Sequence, residues 1–179
     1  MSERTILAVT GSERARFLDG LVTNTLPEPG EGLRYAAMLT PQGKYLADFF
    51  LLAEPDRLLV DVATPLAAGL AQRLSMYKLR ADVALTETDL EVRRGTGPAP
   101  EGALADPRHP SLGWRLYGAE AGDDESDWDA LRVAALVPEA GTELTPESYV
   151  LEMGFERLNG VDFRKGCYVG QEVTARMKH

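Results

Sequence analysis

A single cysteine lies in a segment whose neighbours favour thiol chemistry. The segment Lys165–Glu172 reads KGCYVGQE, and it holds the only cysteine in 179 residues, Cys167. The flanking glycines permit a tight turn and a close approach by a ligand or another backbone. A helical pattern begins at Gln171, and a cysteine just before a helix and beside a lysine tends to ionise at neutral pH. We therefore expect Cys167 to be a soft metal ligand or a redox-active thiol.

A free cysteine is more commonly a small buried hydrophobe, and the sequence leaves that alternative open. One cysteine cannot form an intrachain disulfide or fill a four-ligand metal site. Neither histidine, His109 or His179, stands at metal-ligand spacing from Cys167. An iron–sulfur cluster bound here would therefore be transient and shared, with its other ligands supplied by a partner protein or a small thiol. Within the segment, we expect Tyr168 to pack against the body and Gln171 to hydrogen-bond the cysteine loop.

Composition narrows the classes of partner. The net charge is −9, with 44% apolar and 26% charged residues, so we expect an ordinary globular protein that does not bind nucleic acid. The N-terminus, MSERTILAVTG, matches neither a secretory signal nor an Arg-rich transit peptide. No apolar run approaches the ~20 residues needed to cross a bilayer. The predicted location is a reducing cytoplasm, without a membrane partner.

Strands and helices must then position these residues. Turn chemistry at Thr40–Gly43 and Glu54–Asp56 predicts a three-stranded antiparallel meander over residues 33–62. Apolar spacing predicts helices over 12–22, capped by Ser12, and over 65–78, covering one face of that sheet. Further expected elements are strands at 5–9, 81–86, 91–94 and within 106–118, a helix at 126–136 capped by Ser126, and a fourth element from Thr145 to Met153. The class is α+β, with antiparallel sheets and packed helices.

The motif KGCYVGQE resembles the K-G-C-Y-x-G-Q-E signature of YgfZ-type folate-binding proteins of iron–sulfur cluster assembly and repair. These proteins are relatives of the glycine-cleavage T-protein, a tetrahydrofolate-dependent aminomethyltransferase. Segments 11–26, 39–51, 77–85 and 105–116 also resemble the family. The resemblance implies a T-protein-like folate-binding body over residues 1–179. We expect this body to consist of two intertwined halves, about 1–95 and 96–179. It further implies a C-terminal β-barrel, and the chain ends where that barrel is expected to begin.

The resemblance also implies a folate site. Its expected residues are Asn24, Arg80, Glu152, Lys165, Tyr168 and Gln171, with the pocket near the hairpin 42–49, Asn24, Arg80 and Glu152. Arg80 is expected to bind the folate glutamate tail, because guanidinium pairs bidentately with carboxylate; a structural salt bridge is the alternative. Glu152 is expected to accept hydrogen bonds from the pterin edge; a solvated helix glutamate is the alternative.

Two functions follow from the resemblance. In the first, the chain is a folate-binding accessory factor that uses Cys167 in iron–sulfur cluster assembly or repair, with carrier or client proteins as partners. In the second, it is a tetrahydrofolate-dependent aminomethyl (C1) transferase with Asp48 as catalytic acid/base. The enzyme relatives carry paired aspartates where this chain has Ala47-Asp48, and they lack the cysteine signature. Both departures favour the accessory role.

Overall fold

The computed structural model describes residues 3–179, which form two β-sheets and four α-helices. The strands of the larger sheet are β1 (Arg4–Thr10), β2 (Arg34–Leu39), β3 (Tyr45–Glu54), β4 (Arg57–Ala63) and β5 (Ala84–Glu87). The smaller sheet contains β6 (Glu91–Gly95), β7 (Leu104–Ala105), β8 (Trp114–Gly118) and β9 (Gly122–Asp123). The helices are α1 (Arg14–Asp19), α2 (Thr64–Lys78), α3 (Trp128–Ala134) and α4 (Gln171–Lys178).

The larger sheet has the order β2-β3-β4-β1-β5, and every neighbouring pair is antiparallel. Its β2-β3-β4 portion is the meander expected over residues 33–62. The turn between β2 and β3 closes with a hydrogen bond from the Gly43 N–H to the Thr40 carbonyl, 2.8 Å long, and Gly43 adopts a φ of +83°. The smaller sheet has the order β7-β8-β6-β9, with one parallel pair, β6-β9. The predicted α+β class is confirmed.

The two predicted helices cover one face of the larger sheet. Leu18 of α1 and Leu70 and Leu74 of α2 are buried in one core with residues from the inward face of the strands, among them Val9 and Leu51. Burial of a leucine side chain contributes about 1.5–3 kcal/mol, so the packing of these leucines on the sheet stabilises both helices. The expected arrangement of this layer is confirmed.

The opposite face of the sheet is covered by an irregular segment, residues 135–168. Tyr35 stacks on Phe155 with ring centroids 5.1 Å apart, and Leu144, Val150 and Leu158 are buried in the same core. Because Tyr35 and Phe155 come from the two expected halves of the chain, the halves share this core. The fourth element expected from Thr145 to Met153 is not a helix: this stretch consists of successive turns.

Several local expectations also need correction. The Ser12 hydroxyl donates to the Asp82 carboxylate (2.7 Å) and does not cap α1. Helix α3 begins at Trp128, and its cap is Asp127, which accepts a hydrogen bond from the Ala130 N–H (3.1 Å). The Ser12 partner lies 70 residues away in sequence, which no local pattern reveals. For α3, the adjacent Asp127 is an equally good capping residue, and spacing alone does not distinguish it from Ser126. The strand expected from residue 81 begins at residue 84. Within residues 3–179, no helix has the length and apolar character needed to cross a membrane.

Candidate functional site

The loop that carries Cys167 is fastened to the body on both sides of the thiol. The Lys165 ammonium donates to three backbone carbonyls, those of Asp19 (2.6 Å), Val22 (2.8 Å) and Asn24 (3.1 Å). After the cysteine, Tyr168 is buried in the second core, and the next N–H, that of Val169, donates to the Gly20 carbonyl. Cys167 itself is exposed. The buried-hydrophobe alternative is therefore wrong.

A close backbone contact fixes the start of α4 beyond this loop. Gly170 has a φ of +85°, and a Cβ placed there would lie 2.6 Å from the Thr40 carbonyl oxygen. A Cβ on Gly43 would meet the Val173 side chain at 2.7 Å. Helix α4 is thus seated on the turn between β2 and β3. The Gln171 side-chain amide donates to the Gly166 carbonyl (3.2 Å), as the sequence predicted.

Lys165 does not act as the free cation that was expected beside the thiol. Its side chain is 2% exposed, and its three ammonium protons match the three carbonyls that it contacts. Burial lowers the pKa of Lys165, and the nearby Asp19 carboxylate opposes that shift. Since no donor is left for a ligand, Lys165 is a positioning residue for the Cys167 loop. Direct contact between Lys165 and folate does not fit this geometry.

Asp48 lies between two tyrosine hydroxyls. The Tyr35 hydroxyl donates to one carboxylate oxygen (2.7 Å) and the Tyr45 hydroxyl to the other (2.5 Å). Burial and the Asp48 charge raise the pKa of Tyr35, so its proton stays on the phenol. Both oxygens of Asp48 are therefore engaged, and the acid/base role of the aminomethyltransferase alternative would require these bonds to rearrange.

Asp48 faces a cavity of about 70 Å³, which we call the arginine cavity. Its charged lining consists of Asp48, Glu139, Arg4, Arg94, Arg108, Arg115 and Arg132. Ligand pockets for drug-sized molecules measure roughly 300–1,000 Å³. A pterin ring does not fit this cavity as the structure holds it.

The residues expected to form the folate pocket are dispersed. The Asn24 amide is buried and donates to the carbonyls of Tyr35 and Asn159, both at 2.8 Å. Arg80 is exposed after the end of α2. Glu152 is exposed on a groove of about 410 Å³ between α3 and the 152–157 segment. Neither Asn24 nor Arg80 lines that groove, which we call the Glu152 groove, so the four predicted positions do not converge on one cavity.

Sequence reasoning missed a buried ionic cluster. Asp61 accepts hydrogen bonds from Arg4 (2.7 Å), Arg115 (2.8 Å) and the Tyr117 hydroxyl (2.5 Å). Burial alone would raise the pKa of Asp61, but the two guanidinium groups outweigh it and hold that pKa below its ordinary value. The available signal was the charged residue inside the apolar strand RLLVDV, because a buried carboxylate needs a partner. The partners lie 57 and 54 residues away, out of reach of any local pattern.

The chain resembles curated proteins over nearly its whole length, although no protein-family model matches it. An "iron-sulfur cluster assembly factor IBA57 homolog, mitochondrial" from Mycosarcoma maydis is 34% identical over 98% of this chain and 52% of its own length. The mitochondrial IBA57 proteins of Mus musculus and Homo sapiens are 31% and 32% identical over 98% of this chain and 61% of their own lengths. The chain thus spans between half and two thirds of these relatives.

These relatives confirm the resemblance predicted from KGCYVGQE, since they are YgfZ-like iron–sulfur cluster assembly factors. They also correct one expectation. The predicted cytoplasmic location is wrong, because these relatives are mitochondrial proteins. Cysteine usage indicates a reducing environment but does not identify the compartment, so it could not establish a cytoplasmic location.

Among solved structures, the glycine cleavage system aminomethyltransferase T of Bartonella henselae is 17% identical. It aligns with a TM-score of 0.44 over 50% of this chain and 25% of its own. The fold class given above rests on the strand pairing of this chain.

Proposed function

We propose, from the premise that this chain is a relative of the IBA57-type assembly factors, that it acts in iron–sulfur cluster assembly. The Cys167 thiolate would supply one ligand to a cluster in transit, which is the cargo of the protein. The observation that carries this proposal is the exposure of Cys167 on a loop whose flanking residues are held by the body.

The chemistry of the ligand set supports a shared cluster. Binding of iron by the thiol replaces the S–H bond with an Fe–S bond and releases the proton to solvent. Within residues 3–179 no group of three or more His, Cys, Asp or Glu side chains is arranged to hold a metal ion. We propose that the other ligands come from a partner protein or a small thiol such as glutathione. Carrier and client proteins of this class are the proposed partners.

The neighbours of Cys167 position it. Lys165 and Tyr168 hold the two ends of the loop, and the Gln171 amide holds the Gly166 carbonyl inside it. Because these contacts are made before any cluster arrives, less conformational entropy is lost when the thiolate binds.

We test this role by transfer of a cluster to an apo iron–sulfur acceptor enzyme, with activity of the acceptor as readout. Cys167→Ser should lose most of the transfer that the wild-type chain supports. The matched control is Met177→Ser, which alters a sulfur-containing side chain on the adjacent helix, 39% exposed. Equal transfer by wild type and Cys167→Ser would reject the proposal.

For folate, we propose the Glu152 groove as the binding place. Its volume is in the range of ligand pockets, and its walls include Val133, Leu136 and Met153. The Glu152 carboxylate can accept two hydrogen bonds from a 2-amino-pyrimidinone edge. Arg132 also lines the groove, but it already pairs with the carboxylates of Asp129, Glu139 and Glu143, so we assign it no contact with the glutamate tail. Arg80 has no part in this arrangement.

Calorimetry with tetrahydrofolate tests the folate assignment. Glu152→Ala should weaken binding about tenfold, because about 1.4 kcal/mol is lost with a charge-assisted hydrogen bond. Glu147→Ala removes an exposed carboxylate outside the groove and should leave the affinity unchanged. Equal affinities for wild type and Glu152→Ala would reject this groove, whatever the outcome of the cluster-transfer assay.

A further inference from the structure

The arginine cavity, which shares Arg132, Val137 and Pro138 with the Glu152 groove, brings five guanidinium groups together. Five arginines line a space of about 70 Å³, against two carboxylates, Asp48 and Glu139. Both oxygens of Asp48 already accept tyrosine hydroxyls. Burying this much positive charge is costly unless each cation is paired. The ion pairs that these arginines form show which of their N–H donors are already used.

Four of the five arginines pair with carboxylates outside the cavity wall, and Arg94 pairs in this way with Asp123 (2.7 Å). Arg132 pairs both with Glu139 of the wall (3.5 Å) and with Glu143 outside it (2.7 Å). Arg4 and Arg115 share Asp61, while Arg108 pairs with Asp106 through two bonds of 3.1 and 2.8 Å. Neither Asp61 nor Asp106 lines the cavity. Arg4, Arg108 and Arg115 thus line the cavity, while the carboxylates that hold their guanidinium groups do not belong to its wall. Because Arg4 and Arg115 share the single carboxylate of Asp61, these three side chains together carry one net positive charge.

An aromatic ring holds the same three groups in place without using their N–H donors. The guanidinium carbons of Arg4, Arg108 and Arg115 lie 5.8, 4.8 and 4.3 Å from the centroid of the Phe50 ring. Stacking of this kind fixes a guanidinium plane while its edges stay available for hydrogen bonds.

Unused donors remain on all three side chains. Their Nε and Nη2 atoms make the hydrogen bonds to Asp61, Asp106 and Tyr117. In the part of the chain that the structure describes, the Nη1 atoms of Arg4, Arg108 and Arg115 make no hydrogen bond to the protein. Each of these three atoms is accessible to solvent. Arg115 is the deepest of the set, with its side chain 2% exposed.

We propose that the arginine cavity is a binding site for a small oxyanion, of the size of phosphate, formate or acetate. Oxygen acceptors on such an anion match the unused guanidinium donors, and bidentate guanidinium–oxyanion pairs are among the strongest hydrogen bonds in proteins. The volume excludes a nucleotide or a folate. This site is separate from Cys167 and does not depend on the cluster role.

Thermal unfolding of the full chain tests the proposal, with phosphate, formate or chloride added at matched ionic strength. A ligand that binds only the folded state raises the midpoint as its concentration exceeds the dissociation constant. Phosphate or formate should stabilise the wild-type chain in this saturable manner, and chloride should not. The anion with the larger effect identifies the preferred class, tetrahedral or planar.

Two variants show whether the effect arises in this cavity. Arg108→Met removes one donor set, and Ala140→Leu fills the cavity from its half-buried rim without changing any charge. Each should weaken the apparent anion affinity about tenfold. Arg57→Met, which breaks a surface pair with Glu54, should bind as the wild type does. Equal stabilisation of the wild type by chloride, or undiminished anion binding by a folded Ala140→Leu chain, would overturn the proposal.

Discussion

The Lys165 ammonium donates a 2.6 Å hydrogen bond to the carbonyl oxygen of Asp19, a residue 146 positions earlier in the chain. The last carbonyls of a helix lack intrahelical donors, and a cation near them is favourable. Helix α1 ends at Asp19, so Lys165 satisfies this end and, in the same contact, anchors the Cys167 loop. The motif lysine is therefore structural in this protein.

The first prediction concerns that anchor. Lys165→Met should lower the free energy of unfolding by about 2–3 kcal/mol, because three buried carbonyl contacts lose a charged donor. Arg164→Met, one residue earlier and exposed, should change it by less than about 0.5 kcal/mol. Urea denaturation at neutral pH measures both. Equal stability of the two variants would show that the Lys165 contacts contribute nothing.

A second prediction uses the two glycines of the motif as a matched pair. Gly170→Ala should cost about 2 kcal/mol or more, since Gly170 has a φ of +85° and an added Cβ would lie 2.6 Å from the Thr40 carbonyl oxygen. Gly166→Ala should be nearly neutral, because no heavy atom lies within 4 Å of the added Cβ. Urea midpoints give the comparison. Similar losses in both variants would contradict the close packing of α4 on the 40–43 turn.

The expectations from sequence succeeded where the determining contacts are local. Turn residues and apolar periodicity identified the meander and α2, and the helix expected from Gln171 is α4. The sequence-based expectations failed over 145–153, where Thr145-Pro146-Glu147 resembles the start of a helix. This segment instead follows its contacts with the sheet, because Val150 and Phe155 are buried there and Gly154 has a φ of +81°.

In the candidate site, too, the contacts that could be predicted are those between residues close in sequence. The exposed cysteine and the Gln171 bond to its loop came from spacing within eight residues. The inward turn of Lys165 and the dispersal of Arg80 and Glu152 depend on partners far away in sequence, which a single sequence does not reveal.

A third prediction concerns acid stability. The folded-state pKa of Asp61 lies below its ordinary value, despite burial, because of Arg4 and Arg115. The stability that Asp61 contributes is therefore fully present above about pH 4 and is lost as the pH falls below that value. In Arg4→Met the folded pKa of Asp61 should move upward, so the chain should be less stable at neutral pH and its stability should fall less steeply below about pH 4.

Urea denaturation at a series of pH values measures this effect. Arg57→Met, which breaks the Arg57–Glu54 surface pair, should keep the wild-type steepness in acid. A slope in Arg4→Met as steep as that of the wild type would show that the Asp61 cluster does not govern acid unfolding.

A fourth prediction concerns access to the thiol. Cys167 is exposed in the folded chain, so iodoacetamide at a fixed pH should alkylate it at a rate within about tenfold of the rate in urea. Buried thiols are protected far more strongly, because they react only through local opening. Mass spectrometry of the single cysteine peptide follows the reaction. Protection of a hundredfold or more would contradict the exposed loop.

The central claim, that the Cys167 sulfur binds a cluster, is tested most directly by anaerobic reconstitution of the chain with ferric and ferrous iron, sulfide and glutathione. We predict visible charge-transfer absorption and protein-bound iron for the wild type and for Met177→Ser, with both signals lost in Cys167→Ser. Bound iron and absorption in Cys167→Ser equal to those of the wild type would contradict the claim.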